Sequence, residues 1–352
     1  MLRGTLLAAA WLFLVCAAAH AGESAAAAET PLASASRSAV GVNAGNLAVV
    51  INTADPLSVA IGDYYVRRRG IPASNVARVA FSYHQGVLPA QQFVALKAAI
   101  DRQLPAFVQA YALTWARPYR VDCMSITAAF AFGYDQRYCA TGCVTTQLSP
   151  YFNSDSARPY DDLQVRPAIS LAAVDFDQAK ALIDRGVSSD GSAPSGTAYL
   201  AVSGDPARDV RSAEYTDARM LAGAHIPIQL AFGPVENRTD VMFYFIGAIR
   251  VEALDTDHFL PGAVADHLTS YGGVLDGFRQ MSALRWLEAG ATGSYGTVVE
   301  PCNFIAKFPN VALLMKHYLA GETLIEAYWK SVAMPGQGLF IGEPLATPFR
   351  HH

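Results

Sequence analysis

The sequence has few charged residues, no basic stripe and no alternation of aromatic with basic residues. Only 16% of the 352 residues are charged, and the formal net charge is −4. Proteins that bind nucleic acid present clustered positive charge, so this composition gives no support to a nucleic-acid partner. Hydrophobic residues make up 52% of the chain. That fraction predicts an extensive core, as expected where strands are covered on both faces.

Long apolar runs are also scarce, and the clearest one lies at the amino terminus. It follows Arg3 and ends at an A-x-A sequence at residues 19–21, so residues 1–21 are predicted to be a secretory signal peptide. A valine precedes Cys16 where a lipoprotein signal has a small residue, so no lipid anchor is expected. No later segment is both long and charge-free enough to span a membrane. We therefore expect a periplasmic or secreted protein without a membrane span.

The remaining chain divides by composition into a leader and one α/β unit, without internal repeats. Residues 22–42 are rich in Ala, Ser, Glu and Thr and lack periodicity, which is typical of a flexible leader. Residues 43–350 are predicted to form one α/β domain. Alternatively, the domain consists of two halves, 43–122 and 164–350, separated by an insertion at 123–163. The insertion is too long for a simple connecting loop, and we interpret it as a lid.

Apolar strand segments alternate with helical segments along this domain. Predicted strands or apolar runs cover 46–52, 76–81, 109–114, 168–173, 197–202, 226–232, 242–247, 262–268 and 295–299, and predicted helices start at Asp55-Pro56, Ala90, Phe176 and the capping box of Thr323 and Glu326. A strand-helix-strand order is typical of parallel sheets. The predicted fold class is therefore α/β with a mostly parallel, doubly wound sheet.

The cysteines favour disulfides over a metal site. Removal of the signal containing Cys16 leaves Cys123, Cys139, Cys143 and Cys302, an even number in an oxidising compartment. Cys-x3-Cys without a nearby His or a second close pair is a poor match to structural zinc. Three pairings are possible. A local Cys139–Cys143 bridge, which would leave Cys123 to pair with Cys302, is plausible because Gly142 allows a turn.

Several motifs resemble an exported bacterial protein family of uncharacterised function. They include P-G-A-V-A-D-H-L-T-S-Y-G-G at 261–273, S-Y-G-T-V-V-E-P-C at 294–302 and G-E-P-L at 342–345. The resemblance covers nearly all of residues 46–349. It implies export but no particular activity.

The closing motif is also similar to the G-D-P-x-L of gingipain-type cysteine peptidases, with Glu343 in place of Asp. This similarity implies a caspase-like sheet and a hydrolase of peptidase-like ancestry. Those enzymes carry His-Gly at the end of one strand and Cys at the end of the next, so that the imidazole can polarise the thiolate. Here Ile246 stands at the His position, and Thr269-Ser270 follow the next strand. The comparison therefore implies a scaffold without the usual dyad.

Other residues of the same motifs could supply catalytic groups. Cys302 and His267 could form a thiol–imidazole pair, or Cys302 could be in a disulfide and His267 structural. A serine-dependent catalytic triad would use Ser270 or Ser294 with His267 and Asp266. Neither serine lies in the G-x-S-x-G elbow that exposes a nucleophile.

Two acidic groups complete the candidates. Glu300 could act as a general base or cap the following helix. Asp255, Asp257 and His258 have the ligand types for a divalent cation, but their spacing matches no metal-binding motif. A solvated loop with N-capping residues before the next strand is the favoured interpretation. No metal or cofactor is predicted. If the protein is not a hydrolase, we expect an envelope or extracellular binding protein whose insertion and strand-end loops hold a peptide, glycan or other envelope component.

Overall fold

The structure is a computed structural model that describes residues 41–277 and 279–350. The predicted signal peptide and almost all of the predicted leader lie outside these residues. The strands are β1 (Leu47–Asn52), β2 (Val76–Val79), β3 (Val87–Leu88), β4 (Ala110–Leu113), β5 (Arg120–Val121), β6 (Met124–Ser125), β7 (Ala168–Ser170), β8 (Thr197–Val202), β9 (Ile228–Phe232), β10 (Val241–Gly247), β11 (Phe259–Leu268), β12 (Gly293–Thr297) and β13 (Gly338–Gly342). The helices are α1 (Pro56–Arg69), α2 (Ala90–Asp101), α3 (Ile126–Phe132), α4 (Pro159–Leu163), α5 (Phe176–Ser189), α6 (Tyr215–Ala222), α7 (Leu284–Ala289), α8 (Val311–Leu319) and α9 (Leu324–Ser331).

A 10-stranded sheet forms the centre of the fold, in the order β2-β1-β4-β7-β13-β12-β11-β10-β8-β9. Neighbouring strands are parallel except for β12 and β13, which are antiparallel. The sheet therefore consists of two parallel groups that run in opposite directions and join at β12–β13. The predicted mostly parallel, doubly wound α/β fold is confirmed.

Each group contains a point where the strand order reverses. Within the first group β2 lies on one side of β1 and β4 on the other, and within the second group β9 and β10 flank β8 in the same way. In open α/β sheets, ligands bind outside the carboxyl ends of the strands at such switch points. The topology therefore directs attention to the residues after β1 and β4, and to those after β8 and β10.

Local sequence signals account for several element boundaries. Asp55 caps α1 by accepting a hydrogen bond from the Leu57 amide, and Gly70 ends the helix in the left-handed conformation with φ 62°. Both boundaries match the prediction. The helix predicted over 90–107 is shorter and ends at Asp101, because Pro105 disfavours helical geometry just before it.

The insertion contains one internal disulfide, Cys123–Cys139, and is joined to the loop after β12 by a second, Cys143–Cys302. The suggested Cys139–Cys143 bridge with Cys123–Cys302 is wrong. The chain turns back after α3, which brings the Cα atoms of Cys123 and Cys139 to 5.2 Å. Disulfides are typical of proteins from oxidising compartments outside the cytoplasm.

Backbone hydrogen bonds dock the rest of the insertion next to α9. The amide of Ser149 donates to Ala333 O and that of Asn153 to Lys330 O, each at 2.8 Å, and the Tyr151 side chain between them is buried. No residue of the insertion lines the cavities described below. The segment interpreted as a lid therefore packs as part of the domain in this structure.

Candidate functional site

His267 lies on β11 and is 1% exposed. Its Nδ1 accepts a hydrogen bond from Trp286 Nε1 at 2.9 Å, and its Nε2 lies 3.1 Å from the Met281 carbonyl oxygen. Because an indole nitrogen only donates, Nδ1 must be the unprotonated nitrogen, and Nε2 carries the proton that it donates to Met281. Burial lowers the pKa of His267 to about 4. Both ring nitrogens are thus engaged, which leaves neither for a nucleophile.

Asp266 points to the opposite face of the sheet from its neighbour His267, because side chains alternate along a strand. Its Oδ1 accepts a hydrogen bond from Arg211 Nη1 at 2.5 Å, and both side chains are buried. Burial raises the pKa of the Asp266 carboxyl, and the Arg211 guanidinium partly offsets that effect. The arrangement of Asp266, His267 and a serine considered from the sequence is therefore not assembled.

Ser270 and Cys302 lie close to each other at the carboxyl ends of the second strand group. They line a cavity of about 60 Å³, together with Ala207, Arg208, Leu268, Thr269, Pro301, Asn303 and Phe308. Cys302 is bonded to Cys143, so it has no thiolate unless the bridge is reduced. Glu300 accepts a hydrogen bond from the Cys302 amide at 2.9 Å and so orders this loop. Ser294 lies on β12 with a buried hydroxyl that has no partner among the described residues.

β10 and β11 are the strands at which the gingipain comparison would place a His-Gly and a Cys. β10 and β11 are parallel neighbours, and Ile246 pairs with His267 and Gly247 with Leu268 at their carboxyl ends. Ile246 is fully buried. A Cβ at Gly247 would lie 2.1 Å from the Arg208 carbonyl oxygen, so the backbone of the preceding loop packs directly on this glycine. Neither strand end carries the histidine or cysteine that the mechanism needs.

The acidic loop before β11 does not gather its candidate ligands. Asp255 forms an ion pair with Arg285 at 3.0 Å, the Asp257 carboxylate accepts from the Arg238 amide, and His258 Nδ1 lies 3.3 Å from a backbone carbonyl. Within residues 41–277 and 279–350, no group of three or more His, Cys, Asp or Glu side chains is placed to hold a metal ion. These side chains stabilise the loop.

A larger cleft lies at the switch point of the first strand group. Its volume is about 310 Å³, and it is lined by Asp55 and Leu57 after β1, Tyr83 after β2, Ala116 and Arg117 after β4, Ala173 and Val174 after β7, and Leu275, Asp276 and Leu284 after β11. Ligand pockets in proteins measure about 300–1,000 Å³ and combine apolar walls with a few polar groups. The cleft has both properties at the position that the topology favours.

Some polar groups of this cleft already have hydrogen-bond partners within the protein, and others do not. Asp55 Oδ1 caps α1, and Asp276 Oδ1 accepts from the Tyr119 hydroxyl at 3.0 Å. Burial, followed by the charge of Asp276, raises the pKa of Tyr119 to about 12, so this hydroxyl is a neutral donor. The exposed Arg117 side chain makes no hydrogen bond or ion pair to the residues that the structure describes. The Tyr83 ring at the cleft contacts the His84 ring at 4.3 Å between centroids.

Sequence reasoning did not select this cleft. Arg117 follows the predicted strand 109–114, and Asp276 lies in a loop without a recognisable motif. The usable signal was positional, because both β1 and β4 were predicted as strands and the residues after parallel strands meet at one edge. Predicting the switch point also required the strand order, which local patterns do not contain.

Glu343 of the G-E-P-L motif has a structural role. Glu343 is fully buried and accepts from Arg69 Nε at 2.9 Å, Arg69 Nη2 at 2.5 Å and the Tyr65 hydroxyl at 2.8 Å. Arg69 also forms an ion pair with Asp190. The motif therefore joins the end of β13 to the last turn of α1.

The chain matches no protein-family model, and comparisons with curated proteins and with solved structures find no significant match. In the part of the chain that the structure describes, no helix combines the length and apolar character needed to cross a bilayer.

Proposed function

We propose that this protein is a non-catalytic binding protein of an oxidising, extracytoplasmic compartment, and that the cleft at the switch point holds its ligand. The observation that carries the proposal is the cleft itself. It places the Arg117 guanidinium, which has no hydrogen-bond or ion-pair partner among the described residues, beside an apolar wall that includes Leu57 and Leu284. A charged group without a partner in a concave, partly apolar site is available to orient a ligand.

The arrangement of the predicted catalytic residues favours binding over catalysis. A nucleophile and its base must lie within hydrogen-bond reach. His267 is instead hydrogen-bonded to Trp286 and Met281. Asp266 accepts a hydrogen bond from Arg211 on the other face of the sheet, and Cys302 is in a disulfide. Gingipain-type ancestry remains compatible with the β10–β11 pairing, as a scaffold whose chemistry has been replaced by binding.

Export by the predicted signal at residues 1–21 belongs to the same proposal. The two disulfides support a compartment in which they can form. Mass spectrometry of the protein recovered from its native compartment would test the cleavage, and we expect a mature chain that begins after residue 21.

The function is tested by separating binding from turnover. We would screen the disulfide-bonded protein against peptides, glycans and small envelope metabolites by thermal shift, and analyse each positive mixture for products by mass spectrometry. We expect stabilisation without product, because ligand binding to the folded state raises the unfolding temperature. The stabilisation should disappear in Ala116→Trp, which fills the cleft, and persist in Ala98→Trp, which alters an exposed position on α2.

Two results would contradict the proposal. Ligands whose binding is unaffected by Ala116→Trp would place the site elsewhere. Product formation that is lost in Ser270→Ala would favour the hydrolase hypothesis and the small cavity near Cys302.

A further inference from the structure

A second cavity continues the cleft. Its volume is about 360 Å³, and it shares Val174, Leu275, Asp276 and Leu284 with the cleft. Because these residues line both spaces, the two cavities form one groove, which we call the joined groove. The joined groove accommodates a longer ligand than either cavity alone.

Each cavity of the joined groove is lined by one exposed arginine that does not line the other. Arg117 lines the first cavity and Arg250 the second, and both are exposed. Neither side chain forms a hydrogen bond or ion pair with the described residues. Free guanidinium groups are suited to carboxylates, which they can bind through two parallel hydrogen bonds.

The carboxylates that line the groove are, by contrast, already engaged. Asp55 accepts from the Leu57 amide, Asp276 from the Tyr119 hydroxyl, and Glu288 forms an ion pair with Arg285. These contacts leave the carboxylates charged, but each carboxylate has a partner, whereas Arg117 and Arg250 have none among the described residues. The guanidinium groups of Arg117 and Arg250 are therefore the groups of the lining most available to a ligand. A neutral glycan would leave both arginines without a charged partner.

The wall between the two arginines is apolar. Val174 is 57% exposed, whereas Leu275 and Leu284 are 6% and 4% exposed and form the floor. A large aliphatic side chain that remains exposed within a concave surface gains free energy when a ligand covers it. The lining that the two cavities share is thus apolar apart from the Asp276 carboxylate, and each cavity adds one exposed arginine.

We propose that the joined groove binds an extended acidic peptide, with one carboxylate on Arg117, another on Arg250 and an apolar side chain against Val174, Leu275 and Leu284. This inference rests on the proposed binding function and specifies its ligand class. A peptide provides the required alternation of charged and apolar groups on a single chain.

The probe is a fluorescein-labelled, end-capped peptide of sequence Glu-Ala-Leu-Ala-Glu, measured by fluorescence polarisation with the disulfide-bonded protein. The comparison peptides are Gln-Ala-Leu-Ala-Gln and Glu-Ala-Ser-Ala-Glu. The glutamine peptide lacks both carboxylates, so we expect it to bind up to about 25-fold more weakly than the probe, which corresponds to about fivefold for each ion pair. The serine peptide keeps both carboxylates but lacks the apolar side chain, and we expect it to bind at least about fivefold more weakly. Binding should weaken at high salt, because exposed charges are screened.

Variants then assign the contacts. Arg117→Gln and Arg250→Gln should each weaken the probe about fivefold and leave the affinity for the glutamine peptide unchanged. Arg219→Gln is the matched control, because this exposed arginine on α6 lies outside the groove and has no side-chain partner among the described residues. It should have no effect.

The outcomes separate this inference from the function on which it depends. If all three peptides bind equally and Ala116→Trp abolishes binding, the cleft is a binding site but its ligand is not acidic. The acidic-peptide inference then fails, and the proposed binding function stands. If succinate competes as well as the probe does, the arginines bind any dianion and the peptide assignment fails. If no ligand of any class binds in a manner that Ala116→Trp prevents, the proposed function fails with it.

Discussion

Protonation of His267 should destabilise the protein in mild acid, and the size of the effect follows from its surroundings. The folded-state pKa is about 4, against 6.5 for a free histidine. Between these values the unfolded chain binds more protons than the folded one, so stability falls as the pH is lowered through this window. One pKa unit corresponds to 1.36 kcal/mol, and a difference of about 2.5 units gives about 3 kcal/mol.

Burial sets the direction of this effect, and the hydrogen bond from Trp286 reinforces it. Protonation would place a second N–H on Nδ1, facing the donor Nε1–H of Trp286 at 2.9 Å. Two donors cannot satisfy each other, and a buried charge without a carboxylate partner is costly. The neutral ring is therefore the form that the folded protein stabilises.

Urea denaturation of wild type and His267→Gln at a series of pH values from 4 to 8 measures the contribution of His267 protonation to the free energy of unfolding. The variant will be less stable than wild type at all pH values, so the test is how steeply the free energy of unfolding changes with pH. We expect the variant to lose about 3 kcal/mol less than wild type between pH 6.5 and 4. Equal slopes for His267→Gln and wild type, or an NMR titration of His267 near 6.5, would refute the reasoning.

Three further predictions concern stability. Glu343→Gln leaves Asp190 as the carboxylate partner of Arg69 and should lower the free energy of unfolding by about 1–3 kcal/mol in urea denaturation. Glu343→Leu and Arg69→Met should each destabilise the protein, and the double variant should lose less than the sum of the two; additive losses would contradict the pairing. Asp55→Ala should cost about 1 kcal/mol by removing the α1 cap, and Asp55→Ser should restore most of it; equal losses would show that capping is not the cause. Replacing Cys143 and Cys302 by Ser should cost about 2–5 kcal/mol and lower the melting temperature in calorimetry, and an unchanged temperature would mean that the bridge does not constrain the unfolded chain.

The fold was predictable where local patterns suffice. The apolar runs that became β1, β8 and β10 form strands because continuous apolar segments of this length suit a sheet covered on both faces. Capping side chains and Pro56 set the start of α1 because they satisfy or avoid unpaired backbone donors. These effects act over a few residues, so the linear sequence contains them.

The candidate site was harder to predict, and His267 shows why. The motif places Asp266 beside His267, which favours a shared role, but strand geometry sends them to opposite faces and to different partners. Cys302 met the requirement for a reactive thiol in sequence, yet its distance from Cys143 decided its state. Chemical identity alone did not determine function.

The sequence by itself determined the α/β class, most strand positions, the helix caps and the presence of disulfides, because each depends on neighbouring residues or on composition. Tertiary structure alone decided the strand order, the cysteine pairing and the meeting of Arg117 with Leu284 and Arg250 along one groove. These features join residues that are far apart in the chain. They depend on how the two strand groups pack and join at β12–β13, and no local pattern specifies that arrangement.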